Sequence, residues 1–155
     1  MRMRSFVLSA CVAAVLLTGC APPSAGVDCS ARGPGVDLHG CDLSGADLSW
    51  LDLTGANLTG ANLTDANLAG TILAGANLNL AVLVRGRLYD PRPDLEFHEM
   101  APTVLSHATL VGADLSDADL QSTQLDGADA AFARFTRAFV ARSNLSGADL
   151  TGADF

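Results

Sequence analysis

The 155-residue sequence contains no lysine. Nine arginines stand against seventeen acidic residues, giving a formal net charge of −8. A chain this acidic repels nucleic-acid phosphates and anionic headgroups, so nucleic-acid binding through a basic patch is not expected. Aromatic residues are also scarce, at 5%, although apolar residues reach 49%. Gly, Ala and Leu dominate. The core is therefore assembled from many small pieces and one medium one, a recipe that suits a repeat protein better than a globule. The length suffices for one domain and falls short of two ordinary ones.

Recognisable chemistry is missing as well. His39, His98 and His107 are scattered along the chain. His98-Glu99 is followed by Met-Ala-Pro, so the two-histidine zinc motif is absent. No serine, histidine and acid arrangement is evident, and the glycines are accounted for by corners rather than by a phosphate-binding loop. The aspartates sit singly on a regular face, without the convergent cage of roughly six to eight oxygens that calcium requires. Arg134, Arg137 and Arg142 make a small basic spot in an otherwise acidic chain. No catalytic residue, metal or cofactor is expected.

No apolar run reaches the roughly 20 residues of a membrane span. Phe6–Leu17 comes nearest, about 18 Å long as a helix, and it follows Arg2 and Arg4. That order, charge and then a short apolar run, is a secretory signal. It ends in Leu17-Thr18-Gly19-Cys20, which resembles the lipobox of bacterial lipoproteins. The resemblance implies that residues 1–19 are removed and that Cys20 is lipidated. The chain would then be anchored on the extracytoplasmic face of a bacterial membrane, as two or three acyl chains hold essentially permanently. A plain signal peptide with a chance cysteine is the other reading. The mature charge would be seven arginines minus seventeen acids, or −10.

Of the four cysteines, Cys11 leaves with the signal and Cys20 takes lipid. Cys29 and Cys41 remain, on the oxidising side of the membrane, where disulfides persist. A bridge between them is worth about 3 kcal/mol on the chain-entropy model. The alternative is a small buried Cys41 and a free Cys29. Residues 20–35 form the lipidated tether and an N-terminal cap.

From residue 36 leucine recurs every five positions. Eleven centres run from Leu38 to Leu88, and eleven more from Leu105 to Phe155 in a phase displaced by two. A small residue, mostly Ala, lies two before each centre; Asp or Asn most often lies between; Gly is commonest two after. Alternate side chains of an extended segment face the same way, so the small residue and the centre point inward. The Asp or Asn then reads as a solvated outer face, and Gly as a corner residue. An amphipathic helix fails, because five-residue steps rotate about 500° and smear leucine around the barrel.

This pattern resembles the pentapeptide-repeat family over residues 36–155. The resemblance implies an all-β fold, a right-handed quadrilateral β-helix with four units per coil, and about five and a half coils here. Residues twenty apart should then stack. Thr103, Thr123 and Ser143 would bond hydroxyl to hydroxyl in the core, and Phe135 would meet Phe155. Arg85 would face Asp65, Arg137 would face Asp117, and Arg134 would face both Asp114 and Asp154. Asp37, Asp42 and Asp47 would lie over Asn57, Asn62 and Asn67, leaving Asp129 and Asp149 as the one acid-on-acid stack.

Residues 89–102 interrupt the repeat, and three prolines there forbid a regular ladder. Just before them, Leu80, Val82 and Val84 occupy outward positions. Either the excursion folds back to cover them with Leu95, Phe97 and Met100, or Leu80, Val82, Val84, Phe97 and Met100 form an interaction patch. Trp50, Ile72, Phe132 and Phe139 are also outward, and Phe132 is expected to turn inward beside the small Ala130. Phe135, Val140, Leu150 and Phe155 form an uncapped end through which two copies would meet, C-end to C-end. The functional expectation is a non-catalytic, lipid-anchored structural or protein-interaction module with an unidentified protein partner. Some cytoplasmic members of the family are acidic DNA mimics that protect gyrase, and that is the alternative if the chain is not exported.

Overall fold

The computed structural model of the chain describes residues 26–89 and 102–155. The expected leader, Cys20 and most of the 89–102 excursion, Leu95, Phe97 and Met100 included, lie outside the described residues.

A single unit, Ala56–Gly60, shows why the pattern folds as it does. The N–H of Ala56 donates to Leu53 O at 3.0 Å, closing the preceding corner. Asn57 N–H donates to Val36 O at 2.9 Å in the coil beneath. Leu58 and Gly60 N–H donate to Asn77 O and Asn79 O at 2.7 and 2.9 Å in the coil above. The remaining N–H, of Thr59, donates to Asn57 Oδ1 at 3.3 Å. All five donors are satisfied, as a backbone packed against an apolar core requires. Where Asp or Asn holds the Asn57 position, as at Asp42, Asp52, Asn62, Asp114 and Asp149, its Oδ1 accepts the N–H two residues on, so it is a corner cap and more than a solvated face.

Each unit contributes one residue to an isolated parallel bridge, in place of a regular strand. Among the described residues, fourteen bridges join residues twenty apart and four join residues thirty-two apart. All four of the long ones step across the excursion. The difference, 32 − 20, means that twelve residues leave the coil and the ladder resumes in register. Twelve leaves a remainder of two when divided by five, which is the origin of the phase displacement in the sequence.

The bridges define four sides. The first carries Asp37, Asn57, Asn77, Thr109, Asp129 and Asp149; the second Asp42, Asn62, Val82, Asp114, Arg134 and Asp154. The third carries Asp47, Asn67, Arg87, Asp119 and Phe139; the fourth Asp52, Ile72, Val104, Gln124 and Asn144. Inside, the leucine centres from Leu38 to Leu125 are buried, with alanines between them. Phe135 is buried, and Phe155 stacks on it with ring centroids 4.8 Å apart.

The inward hydroxyls do not bond one another as expected. Thr71 Oγ1 donates to Leu48 O at 2.9 Å and Ser143 Oγ to Leu120 O at 2.6 Å, each in the coil beneath. Thr103 Oγ1 stands within 2.7 Å of Leu68 O and 2.6 Å of Leu88 O, and accepts Gly70 N–H at 3.1 Å. It thereby serves backbone groups at the point where the chain leaves and rejoins the coil. A single hydroxyl proton reaches a carbonyl more directly than it reaches another hydroxyl one coil away, which is why the expected ladder does not form. Thr123 Oγ1 is buried and has no partner among the described residues.

The second corner residue of each unit adopts a left-handed conformation. Among the described residues, ten other than glycine do so, including Trp50 (φ 62°), Leu80 (φ 58°) and Phe132 (φ 58°). None is β-branched, for which this region is a strong outlier. Trp50 leans over Gly70, where an added Cβ would fall 2.7 Å from the indole ring. Phe132 leans in the same way over Gly152, at 2.7 Å. Phe132 thus stays outside, 64% exposed, and does not turn in beside Ala130. A side chain leaving a left-handed corner points along the coil axis and finds room above the next glycine.

Cys29 and Cys41 are joined by a disulfide, with Cα atoms 5.6 Å apart. Cys41 is buried at an alanine-type position, and Val27, Cys29 and Val36 pack against the core from below. At the opposite end Val140, Leu145 and Leu150 are half-buried, and Phe155 is 61% exposed.

Candidate interaction surfaces

The outer sides carry the features that a partner would meet. One corner holds a ladder of alternating charge. Arg85 binds Asp65 through Nε and Nη2, at 2.7 and 2.6 Å, and Arg137 binds Asp117 through the same atoms at the same distances. Arg85 N–H donates to Ser116 O at 3.1 Å, so the two pairs are adjacent and Arg85 also feels Asp117. The hydrogen bonds from Arg85 hold the Asp65 carboxyl below its usual pKa, and those from Arg137 do the same for Asp117. Arg134 pairs with Asp114 at 3.2 Å. It does not also bind Asp154, whose carboxylate accepts Thr136 Oγ1 at 3.1 Å.

The first coil presents Asp37, Asp42, Asp47 and Asp52, one on each side. Asn57, Asn62 and Asn67 donate to the first three at 3.0, 3.1 and 3.0 Å. Hydrogen bonds from His39 lower the pKa of Asp37, and those from Ser49 and Thr54 lower the pKa of Asp47 and Asp52. Asp37, Asp42 and Asp47 are committed to corners and to the coil above, and Asp52 to its own corner. Asp129 and Asp149 form the expected acid-on-acid bridge. Among the described residues, no three His, Cys, Asp or Glu side chains converge to hold a metal ion. His39 Nδ1 lies 2.8 Å from Asp37, while His107 lies over Gly127.

Val82 stands on the second side, and Leu80 and Val84 flank it in the same coil. Leu80 is 65% exposed, and Phe132 stands two coils above it at the same corner. The excursion is rooted elsewhere. Leu88 ends the third side and Thr103 begins the fourth, so the chain departs from the corner between those two sides. The outward apolar residues beside that root are Trp50, Ile72 and Val104. Whether Phe97 and Met100 cover anything falls outside the described residues. The corner aromatics were visible in the sequence as outward residues. The signal for where they rest was the glycine twenty positions later: Trp50 before Gly70, Phe132 before Gly152.

The comparisons with known proteins agree with this architecture. The pentapeptide-repeats family profile matches residues 34–60, 61–90, 103–131 and 131–155 in eight copies. Among solved structures, HetL, a pentapeptide-repeat protein involved in heterocyst differentiation regulation in the cyanobacterium Nostoc sp. strain PCC 7120, is similar at 32% identity and a TM-score of 0.56. The match covers 74% of this chain and 53% of HetL, so the chain spans about half of that protein. Rfr23 of the cyanobacterium Cyanothece 51142 matches at 26% identity over 77% of this chain and 90% of its own, with a TM-score of 0.41. A trypsin-treated form of QnrB1, a plasmid-mediated fluoroquinolone resistance protein, matches at 18% identity over 78% of this chain and 80% of its own. Its TM-score of 0.29 is too low to carry an argument. No curated protein matches the chain in sequence. The repeat, the ladder of bridges and the family match together establish that the chain belongs to the pentapeptide-repeat family.

Proposed function

We propose that this protein is a non-catalytic, lipid-anchored repeat protein on the extracytoplasmic face of a bacterial membrane, where its rod presents surfaces to a protein partner. The observation that carries the reading is the leader ending in Leu17-Thr18-Gly19-Cys20. The Cys29–Cys41 bridge supports it, because disulfides persist in oxidising compartments. In this reading residues 36–155 wind a right-handed rod of about five and a half coils, on the order of 26 Å long at the spacing of stacked strands. The protein-facing candidates are the Leu80–Val82–Val84 side and the apolar end of Phe135, Val140, Leu150 and Phe155, through which two copies would meet.

The DNA-mimic alternative asks for an unbroken acidic face. Here acids alternate with Arg85 and Arg137 at one corner, and Val82 and Arg134 interrupt the second side. Fractionation of cells expressing the wild type and Cys20→Ala tests the proposal. Wild type in the membrane fraction and the variant in the soluble fraction are expected. A cytoplasmic wild type that keeps Met1 would overturn it and favour the mimic. Light scattering across a concentration series tests the end contact, with Phe155→Asp expected to abolish a dimer and a monomeric wild type excluding it.

A further inference from the structure

The segment 26–34 is attached to the solenoid in an unusual way. Its described hydrogen bonds all close on themselves. Ala31 N–H donates to Asp28 O at 3.0 Å, Ser30 donates twice to Asp28 Oδ1, and Arg32 Nη1 donates to Cys29 O and Ala31 O at 3.0 and 2.7 Å. The first described hydrogen bond from this end of the chain to the coils is that of Gly35 N–H to Thr54 O, at 2.8 Å. Upstream of it, the attachments among the described residues are the Cys29–Cys41 bond and the apolar contacts of Val27 and Cys29. Gly33 (φ 133°) and Gly35 (φ 67°) flank Pro34 between this segment and the first coil, and glycines of positive φ make a ready hinge. The first-coil leucines above the segment, Leu38, Leu43, Leu48 and Leu53, are all buried, whereas the opposite end of the same core is half open.

We infer that the Cys29–Cys41 bond is a reducible latch: its reduction by a dithiol frees residues 26–34 about the Gly33–Gly35 hinge and uncovers the apolar end of the solenoid, while the coils beyond stay folded. Cys29 is half-buried and Cys41 is buried, so Cys29 Sγ is the accessible sulfur. A thiolate of the dithiol attacks it, the bond between Cys29 and Cys41 breaks, and Cys41 leaves as a thiolate that takes a proton. The second thiolate of the dithiol then displaces Cys29, which is protonated in turn. Two electrons and two protons pass to the protein, and the dithiol ends as its own disulfide. What the reduced form exposes is the end of the leucine columns at Leu38, Leu43, Leu48 and Leu53, beside first-coil residues Asp37, Asp42, Asp47 and Asp52 that are already exposed.

Arg32 reports the state of the latch, because it is exposed, precedes the hinge and is a trypsin site. The full chain is digested with trypsin with and without dithiothreitol, and cleavage after Arg32, Arg137 and Arg142 is followed by mass spectrometry. Reduction is expected to speed cleavage at Arg32 at least about tenfold, as local opening does, with the other two sites unchanged. A variant with Cys29→Ser and Cys41→Ser is expected to be cut rapidly at Arg32 with or without the reagent. Cleavage at Arg32 that ignores reductant overturns the inference. Equal acceleration at all three sites also overturns it, since the bond would then hold the whole rod and not its cap. Reductant sensitivity that survives in the double variant does the same.

Discussion

Asn62 Nδ2 donates to Asp42 Oδ1 at 3.1 Å, across one coil, while its own Oδ1 accepts Thr64 N–H at 3.1 Å and Thr64 Oγ1 at 2.7 Å. An outward residue is thus held by three hydrogen bonds. Removing it leaves a corner donor and a carboxylate short of partners. Asn62→Ala is expected to cost about 1–2 kcal/mol, above the usual surface value. Leu63→Ala empties a fully buried site between coils and is expected to cost about 2–5 kcal/mol. Thermal melts of both rank them. A larger loss for Asn62→Ala would contradict the inward placement of the leucine column.

Thr103 and Thr123 occupy equivalent inward positions with opposite bonding. Thr103→Val removes the hydroxyl that serves Leu68 O, Leu88 O and Gly70 N–H, and is expected to cost about 1–3 kcal/mol. Thr123→Val removes a buried hydroxyl without a partner, and is expected to be neutral or stabilising. Denaturant unfolding of the two variants measures the contrast. Equal destabilisation would mean that the excursion is not closed by Thr103.

Gly60 and Gly70 share a backbone conformation but differ in what stands above them. A Cβ at Gly60 meets nothing within 4 Å, while one at Gly70 falls 2.7 Å from the Trp50 ring. Gly60→Ala is expected to cost about 1–2 kcal/mol, the left-handed strain alone. Gly70→Ala is expected to cost more and to shift the emission of the single tryptophan as the ring is pushed off the corner. Unchanged emission would contradict the stacking.

Asp65 and Asp117 have pKa values lowered by their arginine partners. Their contribution to stability is therefore present above the unfolded carboxylate value, near pH 4, and is lost as pH falls through the lowered native values. The melting temperature is expected to drop on acidification below about pH 4, and less steeply in a variant with Arg85→Gln and Arg137→Gln. Both pairs are exposed, so added salt should narrow the difference between the two proteins. Identical acid limbs would show the ladder to be energetically idle.

The leucine columns, the twenty-residue stacking of Phe135 on Phe155 and the pairs Asp65–Arg85 and Asp117–Arg137 could be read in the sequence, because a fixed period makes distant neighbours local. The meeting of those two pairs in one ladder could not. It depends on twelve residues leaving the coil and the chain rejoining in register, so that Arg85 lies beneath Asp117 at a separation of thirty-two. Sequence reading also took Asp and Asn for solvating groups, since their bonds to the corner N–H two residues on are invisible to a pattern of polarity. Phe132 departs from its expected place for a related reason: the small Ala130 suggests inward packing, whereas the left-handed corner directs the ring onto Gly152.

Lipidation of Cys20 decides where the protein works, and the mass of the Cys20 peptide tests it directly. The protein is expressed in a bacterial host, extracted from the membrane, reduced and digested with trypsin. The expected N-terminal peptide begins at Cys20, ends at Arg32 and carries the added mass of two or three acyl chains. A peptide that runs unmodified from Ser5 through Cys20 to Arg32 would contradict the account.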